Sequence, residues 1–478
     1  MVKRNKLLIF ILITITVLTI GCNENKKKKS ITEKLLLPTQ LDLIQQRGKL
    51  IATTDYNSTN YFIYRGTPMG YQYELLKAFA DHLNVKLEIV IASSLDEAFE
   101  RVNSGKCDII AMDMAVTRDR KAVLDFSIPH TKTRQVLIQR KPENWRKMKT
   151  WDEVESYLIR DPLELAQETI YIQKNSSFTR RLINLMEEIG DTIYLIEDEQ
   201  KEMEQLIGAV AAGEIRYSVA DEHVALVNSR YFPDIDVRTP VSFSQNLAWA
   251  VKKGNHSLLT EINSWFENFN HDLAYTYIYN KYFRNPRHTQ RAKSEFFSVT
   301  GNKISEYDSI IKMGAERINW DWLLLASLIY QESGFRTDQR SWVGAWGLMQ
   351  LMPETMEHLG IDSTATAEEQ IIAGVNYIAS LDKELRKQVP NDYERRKFVM
   401  AAYNVGIAHI LDAIRLTEKY GGDPEKWDGN VNYYLRKKAE PEFFNDSVVY
   451  YGYARGEEPY QYVNEIYDRY SHYRNIIQ

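Results

Sequence analysis

Ser104-Gly105-Lys106-Cys107-Asp108-Ile109-Ile110-Ala111 and Ala212-Gly213-Glu214-Ile215-Arg216-Tyr217-Ser218-Val219-Ala220 share one grammar: a helix end, a glycine, then an apolar strand. Each strand leads to an acidic residue, Asp113 in the first case and Asp221 in the second. Glycine ends a helix because it enters the left-handed region without a Cβ clash. Outward from these stretches, Lys49–Thr54 is β-rich, and Tyr71–Leu83 carries Leu75, Leu76, Phe79 and Leu83 at helical spacing. Lys86–Ile91 returns to strand character, and Ser94-Leu95-Asp96-Glu97 has the form of a capping box opening the next helix. Such alternation predicts parallel sheets with crossover helices. Two similar α/β lobes imply a cleft, with ligand bound beyond the strand ends. Cys107, in the middle of an apolar strand, reads as a buried and inert thiol.

Gly70-Tyr71-Gln72-Tyr73-Glu74-Leu75, Thr117-Arg118-Asp119-Arg120 and Phe126-Ser127-Ile128-Pro129-His130 follow in that order. Together they resemble the periplasmic amino-acid-type solute-binding domains of family 3, over about residues 45–283. The resemblance implies that Arg120 grips an α-carboxylate and Asp221 an α-ammonium. The chemistry agrees, since a guanidinium fork matches a carboxylate bidentately and a carboxylate opposite completes recognition of a zwitterion. Ala115 stands where small hydroxyl residues often help, and His130 replaces the usual aromatic after Pro129. The expected ligand is a muropeptide or an amino-acid-like molecule.

Beyond residue 307 strand signals largely vanish. Trp320–Gln331 reads as a strongly apolar helix that delivers Glu332-Ser333-Gly334-Phe335 at its far end. Leu328 and Ile329, one turn earlier, put Glu332 on an apolar face. Burial and the negative helix end both raise a carboxyl pKa, which suits a general acid. Gly344-Ala345-Trp346-Gly347-Leu348-Met349-Gln350-Leu351-Met352-Pro353, then Ala401-Ala402-Tyr403-Asn404-Val405-Gly406, then Tyr451–Val463 complete a set.

In this order the motifs resemble the lysozyme-like soluble lytic transglycosylase domain. The resemblance implies that Glu332 is the catalytic acid/base and that Ser333 orients it or the sugar. It also implies that Met349 and Gln350 line the glycan cleft, that Tyr403 and Asn404 orient the substrate, and that Glu458 is the acid of a Glu-x-x-x-Tyr-Val element. Pro459 departs from that element's usual threonine, and Glu457 stands beside Glu458. Trp320 and Trp322 read as core, whereas Trp342 and Trp346 stand open between core packing and a sugar platform.

The expected fold is thus multidomain, a two-lobed α/β binding module followed by a mainly α lysozyme-like domain. The expected activity is lytic cleavage of the β-1,4 bond between N-acetylmuramic acid and N-acetylglucosamine in peptidoglycan, leaving a 1,6-anhydro end. Two alternatives stand beside it: a hydrolytic muramidase using Asp338 as second carboxylate, and a non-catalytic lipoprotein receptor for wall fragments. Expected boundaries are 1–21 signal peptide, 22–40 tether, 41–283 binding module, 284–307 linker and 308–478 catalytic domain.

At the N-terminus Lys3, Arg4 and Lys6 precede the apolar run Leu7–Ile20, shorter than the roughly 20 residues of a membrane span. The run ends at Gly21-Cys22, which resembles the lipobox of bacterial lipoproteins, with Thr19 in place of the usual leucine. Cys22 is the expected lipidation site, and the location expected is lipid-anchored in the cell envelope, facing the periplasm, at the outer membrane. The 478-residue chain carries a net charge of −5, and removing residues 1–21 takes away three basic residues and no acidic one, leaving −8. That balance argues against a nucleic-acid partner. Two cysteines and nine scattered histidines give no metal-ligand spacing, so neither metal nor cofactor is expected.

Overall fold

The computed structural model describes residues 38–477, apart from 175, 200, 202, 286–293, 295–297 and 299–302. The signal peptide, Cys22, nearly all of the tether and most of the 284–307 linker lie outside the described residues.

Each lobe of the N-terminal module holds one five-stranded sheet. In the first lobe the order is Lys86–Ile91, Lys49–Thr54, Ile109–Ile110, Ala250–Lys252, Leu124–Phe126. In the second it is Tyr194–Asp198, Thr169–Gln173, Tyr217–Asp221, Gln135–Arg140, Ile235–Pro240. The first three strands of each sheet run parallel, as the helix–strand alternation predicts. The rest does not: Ala250–Lys252, Gln135–Arg140 and Ile235–Pro240 pair antiparallel. The reason is the path between lobes. The outgoing strand Thr131–Thr133 and the returning strand Gln245–Leu247 form an antiparallel ribbon. The chain therefore joins each sheet directly along that ribbon, with no crossover helix to reverse it.

Local signals explain many boundaries. Ser94 caps Leu95–Asn103 by accepting from Glu97 N–H, while the Glu97 carboxylate turns back to the N–H and hydroxyl of Ser93. Gly105 and Gly213 take φ of +76° and +81° at the two helix ends. Cys107 is buried, and burial pushes its thiol pKa up to about 12.

From Asp308 onward the elements are helices, and no strand occurs among the described residues. Trp322–Ser333 runs through the centre with Leu323–Ile329 all buried. A helix apolar on every side can only sit inside a core. Around it pack Asp308–Arg317, Ala367–Leu385, Asp392–Val405 and the C-terminal helix Glu457–Ile476. Off this core, Lys438 and Asp412 form a fully buried ion pair at 2.5 Å. Asp412 also accepts from the backbone N–H of Tyr450 and Tyr451 at 2.9 and 3.0 Å.

The C-terminal helix also touches the first lobe. Tyr473 donates to Gly66 O at 2.8 Å, Tyr61 and His472 Nδ1 are 2.6 Å apart, and Asn475 donates to Ile89 O at 2.7 Å. Gly66 is required here: φ is +75°, and a Cβ would come within 2.6 Å of the Tyr330 ring.

Candidate active site

Asp321 opens the central helix by accepting from Leu323 N–H at 2.9 Å, and Gly334 closes it with φ +60°. Glu332 leaves its last turn. Some of its surface stays open, yet protein atoms crowd the carboxyl enough that burial pushes its pKa up to about 7. Tyr462, on the C-terminal helix, donates its phenolic hydrogen to Glu332 Oε1 and opposes part of that rise. No carboxylate of the described residues contributes to the shift; the charge of Asp338 falls on Tyr307 instead.

The loop facing Glu332 is held by backbone-directed contacts. Gly347 takes φ +79°, and a Cβ there would lie 2.4 Å from Gln370 Oε1, the atom that accepts Leu348 N–H at 2.8 Å. Ser333 is buried, and its hydroxyl hydrogen is shared between Leu348 O at 2.9 Å and Ile329 O at 3.2 Å. Tyr403 donates to Met349 O at 2.7 Å, and burial and the nearby Glu332 charge keep its phenol protonated. Gln350 sits at φ +47°, a strained conformation for a side chain, and donates to Gln339 O and Gly347 O.

The structure therefore gathers Glu332, Ser333, Gly347–Gln350, Tyr403 and Tyr462. It corrects two expectations. The Met349 side chain is 1% exposed and packs on Gly374, so it lies beneath the cleft rather than on it. The Ser333 hydroxyl is spent on carbonyls, so it ties the helix to the loop and does not face sugar. Glu458 stands in the exposed first turn of the C-terminal helix, its nearest charge Arg455 at 4.0 Å, and makes no contact with Glu332. Asn404 is exposed beside Tyr403. Trp320 and Trp322 pack in the core, as does much of Trp346, while Trp342 is 96% exposed.

Tyr462 was missed. Its signal was present in the Glu-x-x-x-Tyr-Val element, four residues beyond Glu458; one helical turn moves the useful group from the solvent face to the buried one.

In the binding module Arg120 donates from Nη1 to Ala115 O at 2.9 Å. Asp221 is 8% exposed, and its carboxylate accepts no hydrogen bond among the described residues. Burial pushes its pKa up to about 7, with the charges of His223 and Arg120 opposing and that of Asp113 adding. His130 is a core residue between Tyr71 and Phe266, held neutral by burial with a pKa of about 4. Among the described residues no group of three or more His, Cys, Asp or Glu is arranged to hold a metal.

Two family models match the chain: bacterial extracellular solute-binding proteins, family 3, at residues 49–285, and the transglycosylase SLT domain at 309–425. A membrane-bound lytic murein transglycosylase F of Desulfosudis oleivorans is 34% identical over 424 residues, covering 88% of this chain and 89% of that protein. The chain belongs to the membrane-bound lytic murein transglycosylase F family. Another member, from Saccharophagus degradans, is 29% identical over 432 residues, covering 90% and 83% of the two chains. Among solved structures, an ancestral amino-acid-binding protein aligns with 52% of this chain and all of its own, at 23% identity and TM-score 0.43. The family's two parts correspond to the two-lobed module and the helical domain described above.

Proposed function

We propose that this protein is a peptidoglycan lytic transglycosylase whose acid and base are one residue, Glu332. The observation that carries the reading is one carboxyl at the end of the apolar central helix, hydrogen-bonded by Tyr462 and pushed by burial to a pKa of about 7, with no second carboxylate among the described residues acting on it. Near neutrality such a group is divided between its two protonation states, as a residue that serves first as acid and then as base requires. Protonated Glu332 gives its proton to the glycosidic oxygen as the bond to the muramic C1 breaks. The resulting carboxylate then takes the proton of the sugar's own C6 hydroxyl, and O6 closes on C1. The product is a 1,6-anhydro ring, and no water is consumed. Ordinary retaining or inverting glycosidases need two carboxylates, which makes the muramidase reading weaker here. The receptor reading leaves the raised carboxyl and its Tyr462 partner without a task. Replacement of Glu332 by Gln tests the assignment: activity on purified sacculi is expected to fall by about 10²–10⁴-fold, and full retention would exclude Glu332 as the acid.

Gln350, Tyr403 and Asn404 are proposed to border the bound glycan, with Glu458 at its outer edge and exposed Trp342 as a stacking platform. The N-terminal module is proposed to bind a wall-derived peptide or amino-acid-like ligand through Arg120 and Asp221 and to regulate cleavage. Supporting this, the C-terminal helix carries both Tyr462 and the contacts of His472, Tyr473 and Asn475 to the first lobe. Loss of ligand binding in Arg120→Ala, read by calorimetry, is the expected result; unchanged affinity rejects the clamp.

Residues 1–21 are proposed as a lipoprotein signal peptide and Cys22 as the acylated residue, anchoring the protein in the outer membrane and facing the periplasm. No helix among the described residues is long and apolar enough to cross a membrane. Fractionation of Cys22→Ser tests the anchor: release into the soluble fraction is expected.

A further inference from the structure

Two features of the helical domain have no part in the proposed cleavage. One is the fully buried pair of Lys438 and Asp412. The other is Tyr450-Tyr451-Gly452-Tyr453, upstream of Tyr462, whose three tyrosines are 72%, 59% and 52% exposed. Clustered exposed rings of this kind mark a surface on which something docks.

The two features belong together. Residues 448–454 form neither helix nor strand, yet their backbone is held firmly. Asp412 accepts from the N–H of Tyr450 at 2.9 Å and of Tyr451 at 3.0 Å. Arg415, the second cation on Asp412, donates from Nε to Val448 O at 2.8 Å. Ala454 N–H meets Lys438 O at 3.4 Å. Each member of the buried charge cluster therefore also grips the loop, and the tyrosine rings are left in solvent. Two of those rings are backed by protein. The Arg415 guanidinium carbon lies 4.4 Å from the centre of the Tyr450 ring, and Tyr453 meets Phe444 edge-on at 5.9 Å. A ring supported on one side, open on the other and fixed on a rigid backbone loses little entropy when a ligand stacks on it. The C–H face of a sugar suits the ring, and its hydroxyls suit the phenolic rim.

The loop is also close to the cleft. Tyr453 is three residues before Gly456 and Tyr462 six after it, so the two lie no more than about 20 Å apart. By the other route, Asp412 is about 8 Å along the helix Ile407–Lys419, which begins just after Asn404 and Gly406. Exposed Arg455 and Glu458 come between the tyrosines and Tyr462 in the chain. A polymer held at Glu332 continues past the cleaved bond, and contacts made there add affinity without entering the chemistry.

Resting on the proposed glycan cleft, we infer that Tyr450, Tyr451 and Tyr453 form a distal stacking platform for the same glycan strand. The Asp412–Lys438–Arg415 cluster holds that platform in place.

Pelleting of the protein with purified sacculi tests this, in Glu332→Gln so that the wall is not consumed. Adding Tyr450→Ala and Tyr451→Ala is expected to weaken binding about fivefold or more. Adding Tyr450→Phe and Tyr451→Phe instead is expected to leave it within about twofold, since the ring carries the stacking. With Glu332 in place, the alanine pair is expected to raise KM on long uncross-linked strands about fivefold more than on a tetrasaccharide, which ends before the loop. Sacculus binding that ignores the alanines, a phenylalanine pair as weak as the alanine pair, or equal KM increases on the two substrates overturns the platform and leaves the cleft standing. Failure of Glu332→Gln to pellet with sacculi at all overturns the platform and the cleft together.

Discussion

Tyr462 donates its phenolic hydrogen to Glu332 Oε1, joining the last turn of the central helix to the second turn of the C-terminal helix. That second helix continues to Tyr473, whose hydroxyl holds Gly66 O of the binding module. One rigid element of 20 residues, about 30 Å long, therefore carries both the partner of the proposed acid and the domain contact.

Removing the phenol changes the acid in a direction that follows from the bond. The bond favours the ionised carboxyl, so its loss raises the pKa further. A hydrogen bond to a charged group is worth roughly 1.5–3 kcal/mol, or about 1–2 pKa units. Tyr462→Phe is expected to lower kcat about tenfold or more and to move the alkaline limb of the kcat profile upward. A profile that stays in place means that Tyr462 does not act on Glu332.

The same carboxyl has a stability signature. Its folded pKa of about 7 lies above the ordinary 4.5. The folded state therefore holds the proton more tightly, and the stability this brings is full below pH 4.5 and lost as pH rises through 7. The loss is about 3 kcal/mol at most. Glu332→Gln stays neutral, so its helical-domain melting temperature is expected to match the parent at pH 4.5 and exceed it at pH 8. Thermal unfolding at the two pH values measures it, and a gap that does not open contradicts the burial.

Lys438 and Asp412 test a different part of the scaffold. Lys438→Met removes one of the two cations paired with fully buried Asp412, leaving Arg415 as the other, with an expected loss of up to roughly 3 kcal/mol. Replacing both by apolar residues is expected to cost at least as much, because the backbone N–H groups of Tyr450 and Tyr451 and the Arg415 guanidinium then lose their acceptor. Denaturant unfolding of the single and double variants separates the two results.

Gly456 precedes the C-terminal helix, and a Cβ there would lie 1.9 Å from Leu435 O. Because the obstacle is backbone, Gly456→Ala is expected to shift the helix start and destabilise by about 2 kcal/mol or more. If Tyr462 depends on that placement, activity at temperatures where the variant is folded falls as well. Unaltered kinetics would detach the helix start from the site.

Much of this was legible in the residues. The repeated Gly105 and Gly213 stops, the Ser94 cap and the Gly334 stop are local signals with local causes, and they fall where the sequence indicates. The antiparallel strands were not legible, because the pairing of Ala250–Lys252 with Ile109–Ile110 depends on the path of a distant ribbon. In the site, Glu332 could be read from its apolar helix and its motif. Met349 and Ser333 could not be placed, since the same motif supplies both the cleft and the packing beneath it. Tyr462 escaped because it acts through a partner remote in sequence, Glu332.

The central claim is that one carboxyl cleaves the glycan without water. Digestion of purified sacculi in ¹⁸O-labelled water, followed by mass analysis of the muropeptides, tests it most directly. Products one water lighter than hydrolysis would give, with no ¹⁸O incorporated, are predicted. Reducing-end muropeptides carrying ¹⁸O would contradict the account.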